Sequence, residues 1–402
     1  MKIKYFITTI VFLAVTGFLP KTYAQETVKK DSGYVFTIDK QLKASSVKDQ
    51  FSSGTCWSFA GCSFLESELL RMGKPEFNLS EMFCVRTAYG DKAIKYVRYH
   101  GDCSFGSGGE PHDMLNIIRK YGMVPDEVYS GLNYGEKKHI HGEMDEVLKD
   151  YLDGVVKNKN GKLTPVWYEG FNGLLDAYLG KYPEKFNFKG KEYTPQSFAK
   201  ELGINPDDYV CLTSFTHHPY FSKFVIEIPD NWANEAAYNL PLDQLVQICD
   251  NAINNGYTVD WAADVSEKGF SWKNGVAIVP EADTLNMNQT EKDKWTKMSD
   301  SERNKQLYTF DKPGKEKVIT PEIRQEAFDN YSTTDDHSIH ITGIAHDQNG
   351  TKYYLVKNSW NVTGNPYKGY FYASESFLRY KTVSIMVHKN AIPKDIAKKL
   401  GL

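Results

Sequence analysis

The chain has 402 residues, of which 41% are hydrophobic and 25% are charged. This composition is globular and not disordered, and it is long enough for one large domain or two modest ones. The formal net charge of −3 excludes the strongly basic surface with which many proteins bind nucleic acids, so we expect no nucleic-acid partner.

The first 24 residues have the pattern of an export signal. Lys2 and Lys4 form a positive segment, and residues 5–19 are largely apolar. That stretch is short for a membrane span and is interrupted by threonines, so we expect cleavage after Ala24, with an uncleaved anchor as the alternative. The mature chain is then expected to be periplasmic or secreted and not bound to a membrane.

Helical patterns come next in the chain. Apolar residues recur at steps of three and four from Phe59 to Met72, which predicts a buried helix that begins at Cys56. Two further helices are predicted, one beginning near Asn78–Glu81 and one over His112–Tyr121.

Residues 126–240 have a looser pattern, in which helical pieces alternate with turns rich in lysine and glycine. We interpret them as a large helical insertion packed on the main body. Short β-branched or aromatic segments, separated by turn residues, predict strands at Tyr257–Trp261, Ser338–Ala345, Tyr353–Val356 and Gly369–Ala373. Helices first and strands last predict an α+β fold with a helical half over residues 25–125, a β-rich half over 241–390 and a tail over 391–402.

One of the six cysteines lies where a reactive thiol is expected. Cys56 opens the first predicted helix directly after a Gly54-Thr55 turn, and the unpaired N–H groups and dipole of a helix start favour a thiolate. Cys62 lies deeper in the same helix and is typical of a small core residue. None of the cysteine spacings is C-x-x-C, so a structural zinc site is not expected.

Polar residues elsewhere can complete a catalytic site around Cys56. Gln50 precedes it by six residues, so its amide can reach back and donate, beside the Cys56 N–H, to an oxyanion. His337 enters one predicted strand and Asn358 ends another, and an asparagine can hold one imidazole tautomer. Trp360 can keep water away from that hydrogen bond.

Other assignments remain open at this point. His340 and His346 compete with His337 for the role of base. Because 337 and 340 differ by an odd number, these two side chains face opposite sides of a strand and only one can point at Cys56. Asn358 also lies in a stretch that a turn explains.

Two histidine pairs resemble metal ligands. They are His217-His218 and His139/His141, but no carboxylate or cysteine stands at ligand spacing from either pair. We interpret both pairs as surface or packing residues and expect no metal and no cofactor.

Residues 50–60, QFSSGTCWSFA, resemble the active-site loop of the papain family. Four further landmarks follow in the order of that family, namely Leu79-Ser80-Glu81, Gly108-Gly109, Asp336-His337 and Asn358-Ser359-Trp360. The likeness is closer to the bleomycin hydrolase and bacterial aminopeptidase C branch, on the evidence of the insertion, the overall length, Asp113-Met114-Leu115, residues 120–125 and Ala263-Asp264-Val265-Ser266.

The resemblance implies a papain-like cysteine peptidase with its cleft between a helical half and a β-rich half. The catalytic residues that it implies are Gln50, Cys56, His337 and Asn358. Gly108 and Gly109 are then expected to let the substrate backbone approach, with a simple turn as the alternative, and Trp360 is expected to line the site. Peptides are the expected substrates, and no cofactor is required.

The chain also departs from the family. Ser53 stands where papain has a disulfide cysteine, and the closer branch is mostly intracellular whereas this chain has an export signal. In that branch the C-terminus lies in the cleft, blocks longer chains and presents a carboxylate to the substrate's amino group. The resemblance therefore implies that Gly401-Leu402 approaches Cys56 and that the enzyme is an aminopeptidase. A short surface helix is the alternative for the tail.

The resemblance further implies a homo-oligomer, a hexamer in this branch. Two other functions remain open, an endopeptidase of the papain type and a catalytically silent binding protein on the same fold.

Overall fold

A computed structural model describes residues 33–282, 284–285 and 287–402. The predicted export signal, residues 1–24, lies outside the described residues. Among the described helices, none combines the length and the apolar character that crossing a membrane requires.

The helices lie mostly in the first part of the chain, as predicted. Their bounds are α1 Cys56–Arg71, α2 Glu81–Arg98, α3 Pro111–Tyr121, α4 Gly142–Val156, α5 Val166–Leu179, α6 Pro195–Leu202, α7 Leu242–Asn254, α8 Gln289–Lys297, α9 Asp300–Leu307, α10 Pro321–Asp329, α11 Glu375–Lys381 and α12 Lys394–Leu400.

The strands lie mostly in the second part. Their bounds are β1 Phe36–Gln41, β2 Phe186–Phe188, β3 Lys191–Tyr193, β4 Tyr209–Thr213, β5 Lys223–Val225, β6 Ala236–Asn239, β7 Val259–Ala263, β8 Phe270–Ser271, β9 Val276–Ala277, β10 His337–Asp347, β11 Lys352–Lys357, β12 Tyr370–Ser374 and β13 Thr382–His388.

The helical half has one continuous apolar core. Helix α1 is buried on nearly all sides, and its apolar residues pack with those of α2 to α6, including Leu65, Phe83, Ile117, Leu148, Leu175 and Phe198. Helix α2 begins where the sequence predicted, because the Ser80 hydroxyl accepts a hydrogen bond of 3.0 Å from the Phe83 N–H and caps the helix.

The β-rich half is built on one sheet of 11 strands. Its order is β5-β6-β4-β13-β7-β10-β11-β12-β9-β8, and β1 pairs with β10 as well. The register places His337 of β10 opposite Ala263 of β7. Strand β1 was not predicted, since its Phe36-Thr37-Ile38 run is short, and pairing with β10 supplies its partner.

The predicted insertion at 126–240 divides between the two halves. Helices α4 to α6 bury their apolar residues in the core of the helical half, which agrees with an insertion packed on the main body. Strands β4 to β6 instead extend the main sheet beyond β13. Residues 209–239 therefore belong to the β-rich half, and its lower limit lies near residue 209 and not at 241.

The two faces of the sheet near His337 pack against different helices. On one face, the His340 Nδ1 lies 2.8 Å from the hydroxyl of Ser63 in α1. On the other, Ile339 packs into the apolar cluster that contains α7, and Ile396 and Leu400 of α12 are buried in the same cluster. Because successive strand residues point to opposite faces, α12 lies on the face away from α1.

This packing agrees with the alternative of a short helix, and the approach of Gly401-Leu402 to Cys56 stays a prediction. The two apolar residues of α12 lie one turn apart and both are buried. The Leu402 N–H donates to the Ala397 carbonyl at 3.0 Å, so the segment folds as a capped helix and not as an extended arm.

Candidate active site

A tight loop delivers Cys56 to the start of α1. Gly54 has a φ of +63°, and a Cβ atom there would lie 2.3 Å from the Ser107 hydroxyl oxygen. Only glycine satisfies both the left-handed backbone and the close packing. Helix α1 then begins at Cys56 itself, as the sequence predicted.

The surroundings of Cys56 favour the thiol and not the thiolate. Burial raises the pKa of Cys56 to about 12, and the carboxylates of Asp335 and Asp230 raise it further. Hydrogen bonds from the backbone of Ser338 and Trp57 act in the opposite direction but do not compensate. The helix start therefore does not by itself produce the reactive thiolate that the sequence suggested, because desolvation outweighs it.

His337 is held by Asn358. The His337 Nε2 lies 2.8 Å from the Asn358 Oδ1, which also accepts a hydrogen bond of 2.8 Å from the Ser359 N–H. Because a backbone N–H can only donate, Oδ1 is the acceptor and Nε2 must carry the proton. The other ring nitrogen, Nδ1, is then the one that can accept a proton from a thiol.

This histidine lies beside the candidate nucleophile. The backbone of Ser338, the next residue, lies close enough to the Cys56 sulfur to lower the pKa of Cys56, so the strand that begins at His337 meets the start of α1. Burial lowers the pKa of His337, which keeps the imidazole neutral and able to accept a proton near neutral pH.

Trp360 shields this histidine from solvent. The centres of the His337 and Trp360 rings lie 4.8 Å apart, and Phe270 and Trp272 meet Trp360 edge-on at 5.6 and 5.4 Å. The tryptophan thus has the position that the sequence suggested for keeping water from the His337–Asn358 bond.

Gln50 is oriented by the turn that follows Asn358. The Ser359 hydroxyl donates to the Gln50 Oε1 at 2.6 Å, and the Gln50 N–H donates to the Ser359 carbonyl at 2.8 Å. With Oε1 engaged, the Nε2 group is the side of the amide that is available to a substrate oxyanion.

The competing histidines lie elsewhere. His340 bonds Ser63, two helical turns after Cys56, and its pKa lies well below the usual range because of burial and the neighbouring Lys357. His346 pairs with Asp39 at 2.8 Å on the surface. Of the three candidates, His337 alone is bonded to Asn358 and adjoins the residue that contacts Cys56.

Gly108 and Gly109 are closely packed by this chain's own side chains. A Cβ atom on Gly108 would lie 2.1 Å from the Asp230 Oδ2, and one on Gly109 would lie 2.8 Å from the Asp113 Oδ2 and 3.0 Å from the Trp57 ring. The glycines are therefore required for the packing of the site, and the space above Gly108 is taken by a carboxylate.

Comparisons with known proteins agree with this geometry. The model of the Peptidase C1-like family matches residues 308–401, which include His337 and Asn358. Aminopeptidase C of Streptococcus thermophilus is 25% identical over 405 residues, which cover 90% of this chain and 83% of that protein. Aminopeptidase C of Listeria monocytogenes is 24% identical over 398 residues, covering 89% and 83%. The chain is a cysteine peptidase that is similar to aminopeptidases C over about nine-tenths of its length.

The crystal structure of PepW from Lactobacillus rhamnosis HN001 has the same fold as this peptidase. The TM-score is 0.69 at 19% identity, and the match covers 91% of this chain and 84% of that one. The predicted α+β papain-like fold is therefore confirmed.

Sequence reasoning missed the acidic residues of this peptidase site. Glu110 and Asp335 lie in contact, and burial raises the pKa of Glu110 to about 8 and the pKa of Asp335 well above its usual range. Two buried carboxyl groups in contact hold one proton between them. Asp335 directly precedes the Asp336-His337 landmark, but Glu110 and Asp230 carry no motif and are brought in by the fold.

One of the two histidine pairs differs from its interpretation, and the other agrees with it. The structure places Glu227 at 3.2 Å from the Nε2 atoms of both His217 and His218, so a carboxylate does accompany this pair. His139 and His141 instead pack with each other at a ring separation of 5.7 Å beside the active-site loop.

Proposed function

We propose that this cysteine peptidase removes single residues from the amino terminus of peptides. The observation that carries the proposal is the oriented His337–Asn358 pair beside the Cys56 thiol, in a chain similar to aminopeptidases C over about nine-tenths of its length.

The proposed chemistry follows from the atoms that face the thiol. His337 Nδ1 takes the proton from the Cys56 sulfur as the sulfur attacks the scissile carbonyl carbon. The Gln50 Nε2 and the Cys56 N–H donate to the oxyanion that forms. His337 then protonates the leaving amine, and water releases the acyl group with His337 acting again as base.

Hydrolysis of two matched substrates tests the proposal. The free aminoacyl fluorogenic amide should be cleaved, and its N-acetylated counterpart should be cleaved much more slowly. Cys56→Ala should remove both activities, and an epoxide inhibitor of thiol peptidases should label Cys56 in the native protein. Equal cleavage of the two substrates would contradict an aminopeptidase, and activity retained in Cys56→Ala would contradict the whole mechanism.

An endopeptidase is the second candidate, and one observation favours it. The tail folds as the short helix α12 with Ile396 and Leu400 buried, and not as the extended arm that blocks the cleft in the bleomycin hydrolase branch. Under this alternative, N-blocked peptides of several residues would be the better substrates.

We also propose that the protein acts outside the cytoplasm as a homo-oligomer. The export pattern of residues 1–24 supports the first point, and the branch resemblance supports the second. Amino-terminal sequencing of the protein from a periplasmic fraction and light scattering of the mature chain test them. A mature chain that begins at Met1, or a monomer in solution, would contradict the respective point.

A further inference from the structure

The loop between β5 and β6 places Asp230 against the Gly108-Gly109 segment of the site. Its carboxylate rests directly on Gly108, since a Cβ atom there would lie 2.1 Å from Oδ2. The glycine segment is fixed in turn on the residue next to the nucleophile, because the Trp57 Nε1 donates to the Ser107 carbonyl at 2.9 Å. Asp230 thus covers the backbone that, by resemblance, receives substrate residues upstream of the scissile bond.

The loop that carries Asp230 is tightly held. The Asn231 side chain donates to the Ile226 and Glu235 carbonyls at 3.1 and 2.9 Å, and closes the loop on itself. The Trp232 Nε1 donates to the Asp113 Oδ2 at 2.8 Å and ties the loop to α3. The position of the carboxylate is therefore a built feature of the cleft.

The negative charge of Asp230 has no partner among the residues that the structure describes, which give it no hydrogen bond and no ion pair. Lys92 attracts this charge but donates its hydrogen bonds to the Gly106 carbonyl, at 2.8 Å, and to the Gly108 carbonyl. The buried Oδ2 of Asp335 also has no hydrogen-bond partner among the described residues, so it is a second oxygen that can accept from a substrate amino group. Asp230 is linked to the nucleophile by geometry, since Gly108, on which it rests, adjoins the Ser107 carbonyl that accepts from Trp57, and Asp335 precedes His337 by two residues.

We propose that Asp230, with Asp335 nearby, binds the α-ammonium group of the substrate and closes the cleft to residues further upstream. The inference rests on the proposed aminopeptidase function and assigns its specificity to these residues in place of the C-terminal segment. The amino nitrogen of an N-terminal residue is two covalent bonds from the scissile carbonyl carbon. A carboxylate near the sulfur is therefore within reach of it, and charge-assisted hydrogen bonds are the strong ones.

The same arrangement couples recognition to reactivity. In the free enzyme the negative charge of Asp230 disfavours a negative charge on Cys56. A bound ammonium offsets that charge and eases the transfer of the thiol proton to His337, whereas a blocked amino terminus does not. The free amino group then contributes to kcat as well as to binding, which is the expected sign of an interaction that strengthens towards the transition state.

Asp230→Asn tests the inference because it removes the charge and keeps the shape. We expect kcat/KM for the free aminoacyl amide to fall by about 10–100-fold, the usual range for loss of one charge-assisted hydrogen bond, with a rise in KM. The rate on the N-acetylated amide should stay the same or increase. Asp150→Asn, an exposed position in α4, is the matched control and should change neither rate.

The possible outcomes distinguish failure of the aminopeptidase function from failure of the role proposed for Asp230. If the wild-type enzyme does not prefer the free amine, the proposed aminopeptidase function is wrong. If the wild type prefers it and Asp230→Asn keeps the full preference, the assignment to Asp230 is wrong. Labelling of Cys56 by the epoxide inhibitor in both variants shows that the site remains folded, and a variant that is not labelled is replaced by Asp230→Ser.

A second and independent observation concerns the surface segment that leads into this loop. His217 and His218 both direct Nε2 at the carboxylate of Glu227, each at 3.2 Å, and the three ligand atoms lie within 4.8 Å of one another. The Gln325 Oε1 accepts from the Thr216 N–H at 2.7 Å and lies 3.2 Å from the His217 Nδ1. Since that oxygen can only accept, Nδ1 carries a proton.

This hydrogen bond fixes the chemistry of His217. In the neutral ring the proton is on Nδ1, so Nε2 presents a lone pair to the Glu227 carboxylate, and only a cation between them makes the contact favourable. A proton fills that position in an imidazolium, and a divalent metal ion fills it when the ring is neutral. Stacking of His218 on Phe224, with ring centres 4.2 Å apart, orients the second imidazole. Gln325 has the position typical of a residue that orients a metal-binding histidine.

We infer that these three residues bind a divalent transition ion, with Zn²⁺ as the best match to two imidazoles, one carboxylate and an open position. Titration of the mature Cys56→Ala protein with Zn²⁺ by calorimetry tests this without interference from the catalytic thiol. One ion should bind, and His218→Ala and Glu227→Gln should abolish that binding. His346→Ala, which removes a surface histidine paired with one aspartate, should leave it unchanged. Zinc binding that persists in both site variants, or no binding at neutral pH, would overturn the inference.

Discussion

The hydroxyl of Ser359 donates to the Gln50 Oε1 at 2.6 Å, while its backbone N–H donates to the Asn358 Oδ1 at 2.8 Å. One residue therefore sets the orientation of two groups with different roles, the amide that faces the oxyanion and the amide that holds the His337 tautomer. Because both groups must be placed before the reaction begins, this turn pre-organises the site from the β-rich half.

Ser359→Ala separates the two roles. It keeps the backbone bond to Asn358 and loses the bond to Gln50, so we expect kcat to fall by about 10-fold through misorientation of the oxyanion donor. Gln50→Ala removes the donor itself, and we expect a loss of roughly 10²–10³ in kcat, the usual range for one oxyanion donor. Steady-state kinetics of both variants measure this order, and a larger loss in Ser359→Ala than in Gln50→Ala would contradict it.

The His337–Asn358 pair predicts a second order of effects. His337→Ala removes the base and should lower kcat more than Asn358→Ala, which leaves the base in place but frees its tautomer. Asn358→Asp is an informative comparison, since a carboxylate still accepts from Nε2 and should preserve more activity than alanine does. If Asn358→Ala proves more damaging than His337→Ala, then His337 is not the base.

Replacements of two cysteines in the same helix distinguish chemistry from packing. Cys56→Ala should abolish hydrolysis with little change in the free energy of unfolding, because one small residue replaces another at a helix start. Cys62 is buried at 0% exposure, so Cys62→Ala should keep its activity and lose about 1 kcal/mol of stability through a small cavity. Urea denaturation and a turnover assay on both variants check this, and loss of turnover in folded Cys62→Ala would contradict it.

Much of this site was readable from the sequence because its parts lie in short local patterns. Apolar residues at steps of three and four predict helix α1. Gln50, His337 and Asn358 each lie near a strand end or a helix start that the local sequence also predicts. Asp230 and Glu110 were not predicted, since they reach the cleft only through the pairing of β6 with β4 and the docking of α3. The influences that raise the pKa of Cys56 were not predicted for a similar reason. Local sequence shows a helix start, whereas burial and distant carboxylates are properties of the whole fold.

The raised pKa of Cys56 leads to a prediction about the enzyme without substrate. With the pKa of Cys56 raised to about 12 by burial and by Asp335 and Asp230, the thiolate fraction should grow as pH rises through the whole neutral range. The rate of alkylation of Cys56 by iodoacetamide should therefore increase from pH 6 to pH 10 without a plateau. Asp335→Asn should raise the rate at each pH because it removes one cause of the shift. A plateau below pH 7 would instead indicate a preformed thiolate–imidazolium pair.

The last prediction concerns Asp260, which lies in β7 with 0% exposure. Its two carboxylate oxygens have no hydrogen-bond donor of normal geometry among the described residues, and the nearby Trp261 N–H offsets little of the burial. Burial therefore raises the pKa of Asp260 well above its usual range. The folded protein binds the Asp260 proton more tightly than the unfolded chain does. The contribution of Asp260 to the free energy of unfolding is therefore highest at low pH, and it falls as the pH rises from the unfolded pKa of this carboxyl towards its folded pKa.

Asp260→Asn keeps the shape without the charge and should stabilise the protein by about 1–3 kcal/mol at pH 7. Urea denaturation of both proteins at pH 5 and pH 8 measures the difference, which should widen with pH. Asp395→Asn, at an exposed position of α12, serves as the control. A difference that does not change with pH would show that Asp260 has a partner that stabilises its charge.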